Sequence, residues 1–526
     1  MKAKIVAIVI AAVLLVGGGA FALTRFLAPA EDDALAFVPP DAYFYTNFFI
    51  DPSNSQKQAL DEFVQKFPGV DSVEDLIEKL IEAIDDALEE DGLSYEEDIQ
   101  PWLGDQFAAY GVPGGTPDMP NGAVLVEVTD EEAAERFLNE SSDGDFGDTE
   151  SKTYKDTEYR VEKDGPIALA FLEGFMVVGT EDAVKESIDA LESDETLETS
   201  KRFTAATDPL RDDWIGLYYL DTPALFEEFQ LDEALSAAGQ PALGGASLED
   251  QRPQAGVLYV TSDSAVFEAS GSIGEGPYAP IARGFAEPGL VPELPAEAWA
   301  AFGIPDLGEI MTRALEAVAG VPGFDPVQLE AMFYAQTGLR LEQDILSWMG
   351  DAGFFVQGAN LQDIGGGLVL ESTDPAKTTA FVGKLRGLLV QQGIRPKPFA
   401  LGGLRGFSVQ IPGTPAPINV VGGDRLAITY GSDATTAIAE AGQTLSSSDA
   451  FSAAQEDIGE DFNIAFYVDV DAAQAFGEAI ATLGGAVDET YNDEVKPIFD
   501  VFTHVVIGAK AAGDDSIVSK MVVGVE

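Results

Sequence analysis

Asp143, Asp145, Asp148 and Glu150 crowd the stretch SSDGDFGDTE, Ser141 to Glu150, with two glycines between them. Closely spaced carboxylate oxygens on a bendable segment are the ligands that calcium takes. The spacing does not make the helix-loop-helix calcium loop, because no acid falls at one required position and the closing glutamate comes too early. A solvated acidic loop accounts for the same residues, and both readings stand. Elsewhere the chemistry is thin. A single histidine, His504 in VFTHVVIGA, excludes the paired-histidine protease motif and any site built on two imidazoles. The absence of cysteine removes thiolate nucleophiles, disulfides and lipid attachment through an N-terminal cysteine. No serine sits in a G-x-S-x-G elbow and no Gly-Lys precedes Ser or Thr, while Gly271, Gly274 and Gly276 miss the dinucleotide spacing. With 91 acidic residues, a carboxylate pair for cleaving sugar polymers could be drawn in many ways, and spacing selects none. The sequence assigns no catalytic, cofactor-binding or metal residue.

Residues of this kind act only where folded elements hold them, and here the elements are written twice. GLSYEEDIQPWLGD (Gly92 to Asp105) and GLRLEQDILSWMGD (Gly338 to Asp351) agree at eight of fourteen positions, tryptophan included, in a chain with 4 tryptophans. The flanking segments follow in the same order. AVLVEVTDEEAAERF (Ala123 to Phe137) matches GLVLESTDPAKTTAF (Gly367 to Phe381), and RFTAATDPLRDDWIGLYYLD (Arg202 to Asp221) matches AFSAAQEDIGEDFNIAFYVD (Ala450 to Asp469). Each half closes on a strand pair with a short polar centre, Ala255 to Ile273 and His504 to Val525, which reads as a hairpin. Within one copy, the aromatic run Tyr43 to Ile50 predicts a strand, and Val73, Leu76, Ile77, Leu80, Ile81, Ile84 and Leu88 recur with helical period after a capping Ser72.

Hairpins combined with one-sided helices predict an α+β fold, two tandem copies of a mainly antiparallel sheet with helices packed on it. The expected boundaries are an anchor and stalk over 1–30, a first repeat over 31–275, a Pro/Gly-rich linker over 276–289 and a second repeat over 290–526. In this scheme Trp102 and Trp348 anchor the cores. Gly104 and Gly350 allow the turn into the next strand, and Asp105 and Asp351 hydrogen-bond that turn. Asp130, Asp374, Asp221 and Asp469 stand where strands give way to helices and are expected to cap them.

The N-terminus differs in kind. After Lys2 and Lys4, Ile5 to Leu23 carries no charge and is long enough to span a bilayer as a helix. The positive-inside rule then leaves the bulk of the chain outside the cytoplasm. Cleavage after Ala28-Pro29-Ala30 is the rival reading, although the apolar core is long for a signal peptide. A formal charge of -62 with no basic patch excludes nucleic acid as a partner.

The apolar N-terminus, the aromatic strand after FVPPDA, the D-I-x-x-W-x-G-D block and the repeat together resemble a bacterial family of membrane-anchored extracytoplasmic proteins of no assigned function. Leu35 to Pro68 looks like the opening segment of that family, and Asp98 to Asp105 like its helix-to-strand block. The resemblance covers most of residues 35–526, brings no catalytic residues, and departs in the chain's acidity. It implies a non-catalytic binding or structural component of the cell envelope, attached to the membrane by one helix and facing an unknown envelope partner. A carboxylate-based hydrolase of envelope polymers and a carrier of an apolar ligand are the alternatives.

Overall fold

A computed structural model of the chain describes residues 31–526 apart from 89–92, 117–118, 141–148, 164, 194, 231–251, 274–278, 319–324, 440–441, 485–490 and 514. The expected membrane helix and stalk of residues 1–30 lie outside the described residues. Among those described, no helix is long and apolar enough to cross a membrane. They form two compact units, the first ending at Ser272 and the second beginning at Ile273.

The first unit holds β1 (Phe44–Phe49), β2 (Leu103–Gly111), β3 (Gly122–Val128), β4 (Thr149–Tyr154), β5 (Thr157–Glu162), β6 (Ile167–Leu172), β7 (Phe175–Thr180), β8 (Gly216–Leu220), β9 (Gln254–Val260) and β10 (Ser264–Ser272). Every described pairing is antiparallel, in the order β10-β9-β8-β1-β2-β3-β7-β6-β5-β4. The second unit holds β11 (Ala298–Ile304), β12 (Met349–Gln357), β13 (Gly365–Ser372), β14 (Lys397–Leu401), β15 (Leu404–Val409), β16 (Ile418–Gly422), β17 (Arg425–Tyr430), β18 (Asn463–Asp469), β19 (Phe502–Ala511) and β20 (Ser516–Val525). Its antiparallel order is β20-β19-β18-β11-β12-β13-β17-β16-β15-β14. Position for position, the two orders agree.

Helices cover these sheets where the sequence starts them. Asp75 N bonds Ser72 Oγ at 3.2 Å at the head of helix Val73–Leu88, and Ala133 N bonds Asp130 Oδ1 at 3.0 Å at the head of Glu131–Glu140. Asp374 accepts from Ala376 N and Lys377 N, both at 3.1 Å, with Pro375 in the first helical position, where its missing N–H costs nothing. Asp221 and Asp469 accept from Ala224 N at 3.2 Å and Ala472 N at 3.0 Å. All of these aspartates satisfy N–H groups that a helix start leaves unpaired. The stretch read as linker carries a helix of its own, Ala279–Phe285.

Candidate functional site

The tryptophan blocks come first because the sequence singles them out. In each, the chain makes one wide turn, Tyr95–Ile99 and Leu341–Ile345, before the tryptophan. The aspartate of the motif closes that turn: Ser94 N donates to Asp98 Oδ2 and Arg340 N to Asp344 Oδ2, both at 2.8 Å. Its own carbonyl then takes the indole N–H, Trp102 Nε1 to Asp98 O at 2.7 Å and Trp348 Nε1 to Asp344 O at 2.8 Å. Both rings are buried, packed on Phe137 and Phe381 with centroids 5.4 and 5.6 Å apart. D-I-x-x-W is thus a clamp that lets a large amphipathic ring enter the core with its one donor satisfied.

The glycines of the motif act differently from the expectation. Gly104 and Gly350 lie inside β2 and β12, and neither is among the glycines with positive φ. Each sits at a register shift where a glutamate of the next strand folds across it. A Cβ on Gly104 would stand 2.6 Å from Glu127 Cγ, and one on Gly350 would stand 3.4 Å from Glu371 Cβ. Space for that glutamate, rather than a turn, is what Gly104 supplies; at Gly350 a Cβ would make only ordinary van der Waals contact. Asp351 also bonds beyond its own turn, since Asp306 N donates to its Oδ1 at 2.9 Å, while Asp105 N donates to Glu127 Oε2 at 2.8 Å.

Around Asp351 the second unit gathers carboxylates. Arg425 bonds Glu293 and stands 3.7 Å from Glu371 Oε1. Burial holds the Asp351 carboxyl above the usual carboxylate range, with the charges of Asp306 and Glu293 adding to it. Burial also raises Glu371, reinforced by Asp351 and Glu293 and opposed by Arg425. One guanidinium among four carboxylates leaves this end of β11 and β12 strongly negative. The adjoining cavity, lined by Leu290, Val291, Gly303, Ile304, Asp351 and Ile464, has a volume of about 20 Å³. That is room for roughly one water molecule, whereas small-molecule pockets run to about 300–1,000 Å³.

Among the described residues, the second unit also carries an exposed apolar row. Phe354, Phe302, Phe466, Ile507 and Met521 stand opposite one another in register across β12, β11, β18, β19 and β20. Phe302 and Phe354 are each 39% exposed, Ile507 37% and Met521 38%. The rings of Phe302 and Phe354 lie nearly parallel at 6.3 Å. Exposed Met311 on helix Leu307–Val318 and Ile480 on helix Val470–Gly484 extend the apolar surface, and those helices pack on β12 and on β11, β18 and β19 respectively. Scattered apolar residues are normal on a surface; a row continuous across five strands is not scattered.

A protein-family model described as "Protein of unknown function (DUF3352)" matches residues 5–519. The chain belongs to that family. No curated protein matches it. Among solved structures, crystal forms I, III and IV of TP0453 are similar at a TM-score of 0.25. Form I is 9% identical and the others 10%, covering 48% or 47% of this chain and 81% of theirs.

Of the residues weighed for chemistry in this DUF3352 protein, only Glu150 and His504 are among the described ones, and they belong to different units. Asp143, Asp145 and Asp148 lie outside the described residues, and Glu150, on β4, pairs with Lys152 at 3.3 Å. His504 is a buried residue of β19, with Nδ1 3.1 Å from Thr503 Oγ1 and Nε2 3.2 Å from Asp457 Oδ2 without hydrogen-bond geometry. Sequence reasoning missed Glu293, Glu371 and Arg425, which are scattered over more than a hundred positions. It missed the apolar row too, whose only linear trace is a large apolar residue amid AWAAFGI, AGFFVQ, NIAFYV, HVVIG and KMVVG. A further surprise is Asp32. It accepts the Tyr45 hydroxyl at 2.7 Å, its Oδ2 is buried without a partner, and burial pushes its carboxyl up to about 6.

Proposed function

We propose that this chain is a membrane-anchored envelope protein of bacterial type, held by Ile5 to Leu23 with residues 31–526 outside the cytoplasm, and that it works by binding another envelope component. The two units are read as tandem copies of one α+β ancestor. The common strand order and the paired Trp102 and Trp348 clamps support that reading. The observation that carries the binding role is the row Phe354-Phe302-Phe466-Ile507-Met521, an in-register apolar face on a chain of net charge -62. The cavity beside Asp351, with room for roughly one water molecule, is too small for an apolar ligand.

Membrane fractionation combined with external protease on intact spheroplasts tests the placement. Full-length protein is expected in the membrane fraction, with residues 31–526 digested from outside. Protection of that bulk, or recovery of a soluble chain beginning at Glu31, would overturn the anchored extracytoplasmic reading.

A further inference from the structure

The first unit buries polar atoms at a place where the second unit is apolar. Tyr45 pairs with Tyr219 and Ala301 with Tyr467, each of these partners two residues before its capping aspartate. Asn47 therefore answers to Gly303, and its partner Ala108 to Gly353. In the second unit Val291, Leu290 and Leu294 fill the space over those glycines. In the first, Asn47 and Gln106 are buried, at 0% and 3% exposure. The fold itself does not require polar groups here.

Residues 31 and 32 lie over both strands at this point. Tyr45 Oη donates to Asp32 Oδ1 at 2.7 Å, Asn47 stands close enough to act on the same carboxyl, and Gln106 Nε2 donates to Glu31 O at 2.6 Å. The last bond fixes the Gln106 amide, so its oxygen is the end left over. Asn47 lies opposite Ala108, two residues from Gln106 on the same face, a diagonal of about 7–8 Å that side chains of this length bridge. Three oxygens, Asp32 Oδ2, Asn47 Oδ1 and Gln106 Oε1, are buried there without a hydrogen-bond partner, against one donor group, Asn47 Nδ2. The charge that bears on Asp32 is that of Asp33, also negative. Acceptors thus outnumber donors around a buried carboxyl, and what balances them is a positive charge rather than another acceptor. A divalent ion would leave one positive charge buried and uncompensated beside a single carboxylate; a monovalent ion leaves none.

We propose that the first unit binds a monovalent alkali cation through Asp32 Oδ2, Asn47 Oδ1 and Gln106 Oε1. Carboxylate and amide oxygens are the ligands that such hard ions take. The ion joins the segment that begins at residue 31 to β1 and β2, and so holds down the stretch in which Ala34, Leu35 and Phe37 enter the core. The site is independent of the binding role proposed above.

The test is thermal unfolding of the full chain in nanodiscs of zwitterionic lipid, in sodium chloride against N-methylglucamine chloride. At about 0.5 M and about pH 8 both salts screen alike, so a difference between them reports binding. Sodium is expected to raise the melting temperature by about 2–4 °C, levelling off as it replaces N-methylglucamine at constant chloride. Asp32→Asn, Asn47→Leu and Gln106→Leu are each expected to abolish that gain, and three variants on three segments leave the test standing if one folds poorly. Glu371→Gln, in the acid cluster of the second unit, is expected to keep it. Hydrogen exchange resolved by segment is expected to place the gain in residues 31–50 and 103–111. Equal melting in the two chlorides would mean that water and a proton serve those oxygens, and would overturn the site. A gain that survives both Asp32→Asn and Asn47→Leu would belong elsewhere and would overturn it too.

Discussion

The two units share a strand order, yet they finish the same face of the sheet in opposite ways. In the first unit the row equivalent to the exposed one reads Ala109-Thr46-Tyr218-Gly256-Ala269 across β2, β1, β8, β9 and β10. Tyr218 stands where the second unit has Phe466, each three residues before the capping aspartate. It lies over Gly256 and stacks on Phe267 at 5.8 Å. Phe107, only 3% exposed, is drawn into the Trp102 core, whereas Phe354 stays 39% exposed. The first unit's row holds small residues beside a single ring, whereas the second unit's holds a large apolar side chain at every position. One scaffold therefore carries a row of mostly small residues in one unit and an exposed apolar row in the other.

The largest expected effects fall where the units are alike. Trp102→Ala and Trp348→Ala should each destabilise their own unit by about 3–5 kcal/mol, since each removes a buried ring and orphans its clamp. Hydrogen exchange resolved by segment would show the loss confined to one unit. Equal loss in both units would mean they do not fold independently. Next come the positions where the units differ. Phe107→Ala should cost about 3–5 kcal/mol and Phe354→Ala about 1 kcal/mol or less, because only the first empties a packed site. Denaturant midpoints decide it, and similar losses would erase the distinction between a packed ring and an exposed one.

Much of this architecture was legible in the sequence because its signals are local. Ser72, Asp130 and Asp374 are caps by identity and position, and the tryptophan block keeps its aspartate four residues before the ring because the indole bonds that residue's carbonyl. The row was not legible. In FGI and GFFVQ, apolar residues occupy both faces of the strand, so alternation does not tell which side stays bare. That depends on helices and registers fixed by distant residues. Gly104 misled for a related reason: its constraint comes from Glu127 on a neighbouring strand. The charged cluster at Asp351 exists only once β11, β12, β13 and β17 are aligned.

A smaller effect belongs to the first unit alone. The folded Asp32 carboxyl titrates near 6, against 3.8 for the unperturbed group, so the folded state holds its proton longer than the unfolded chain. Its contribution is fully present below about pH 4 and is lost as pH rises through about 6, amounting to at most about 3 kcal/mol. Subtracting the pH dependence of unfolding of Asp32→Asn from that of the parent isolates it. A flat difference would place Asp32 in water. The smallest effect is general: raising monovalent salt from 0.1 to 1 M shortens the screening length from about 10 to about 3 Å and should raise the melting temperature of so acidic a chain. Calcium at equal ionic strength should do more only if Asp143, Asp145 and Asp148 bind it, and Asp145→Asn would remove the excess.

Because the natural chain has no cysteine, a single introduced thiol reports one position without background. Phe302→Cys, Phe354→Cys and Phe107→Cys, each treated in intact spheroplasts with a membrane-impermeant maleimide, measure openness and placement together. The account predicts rapid labelling at 302 and 354, and labelling at 107 only after denaturation. Labelling at 302 and 354 as slow as at 107 would contradict it.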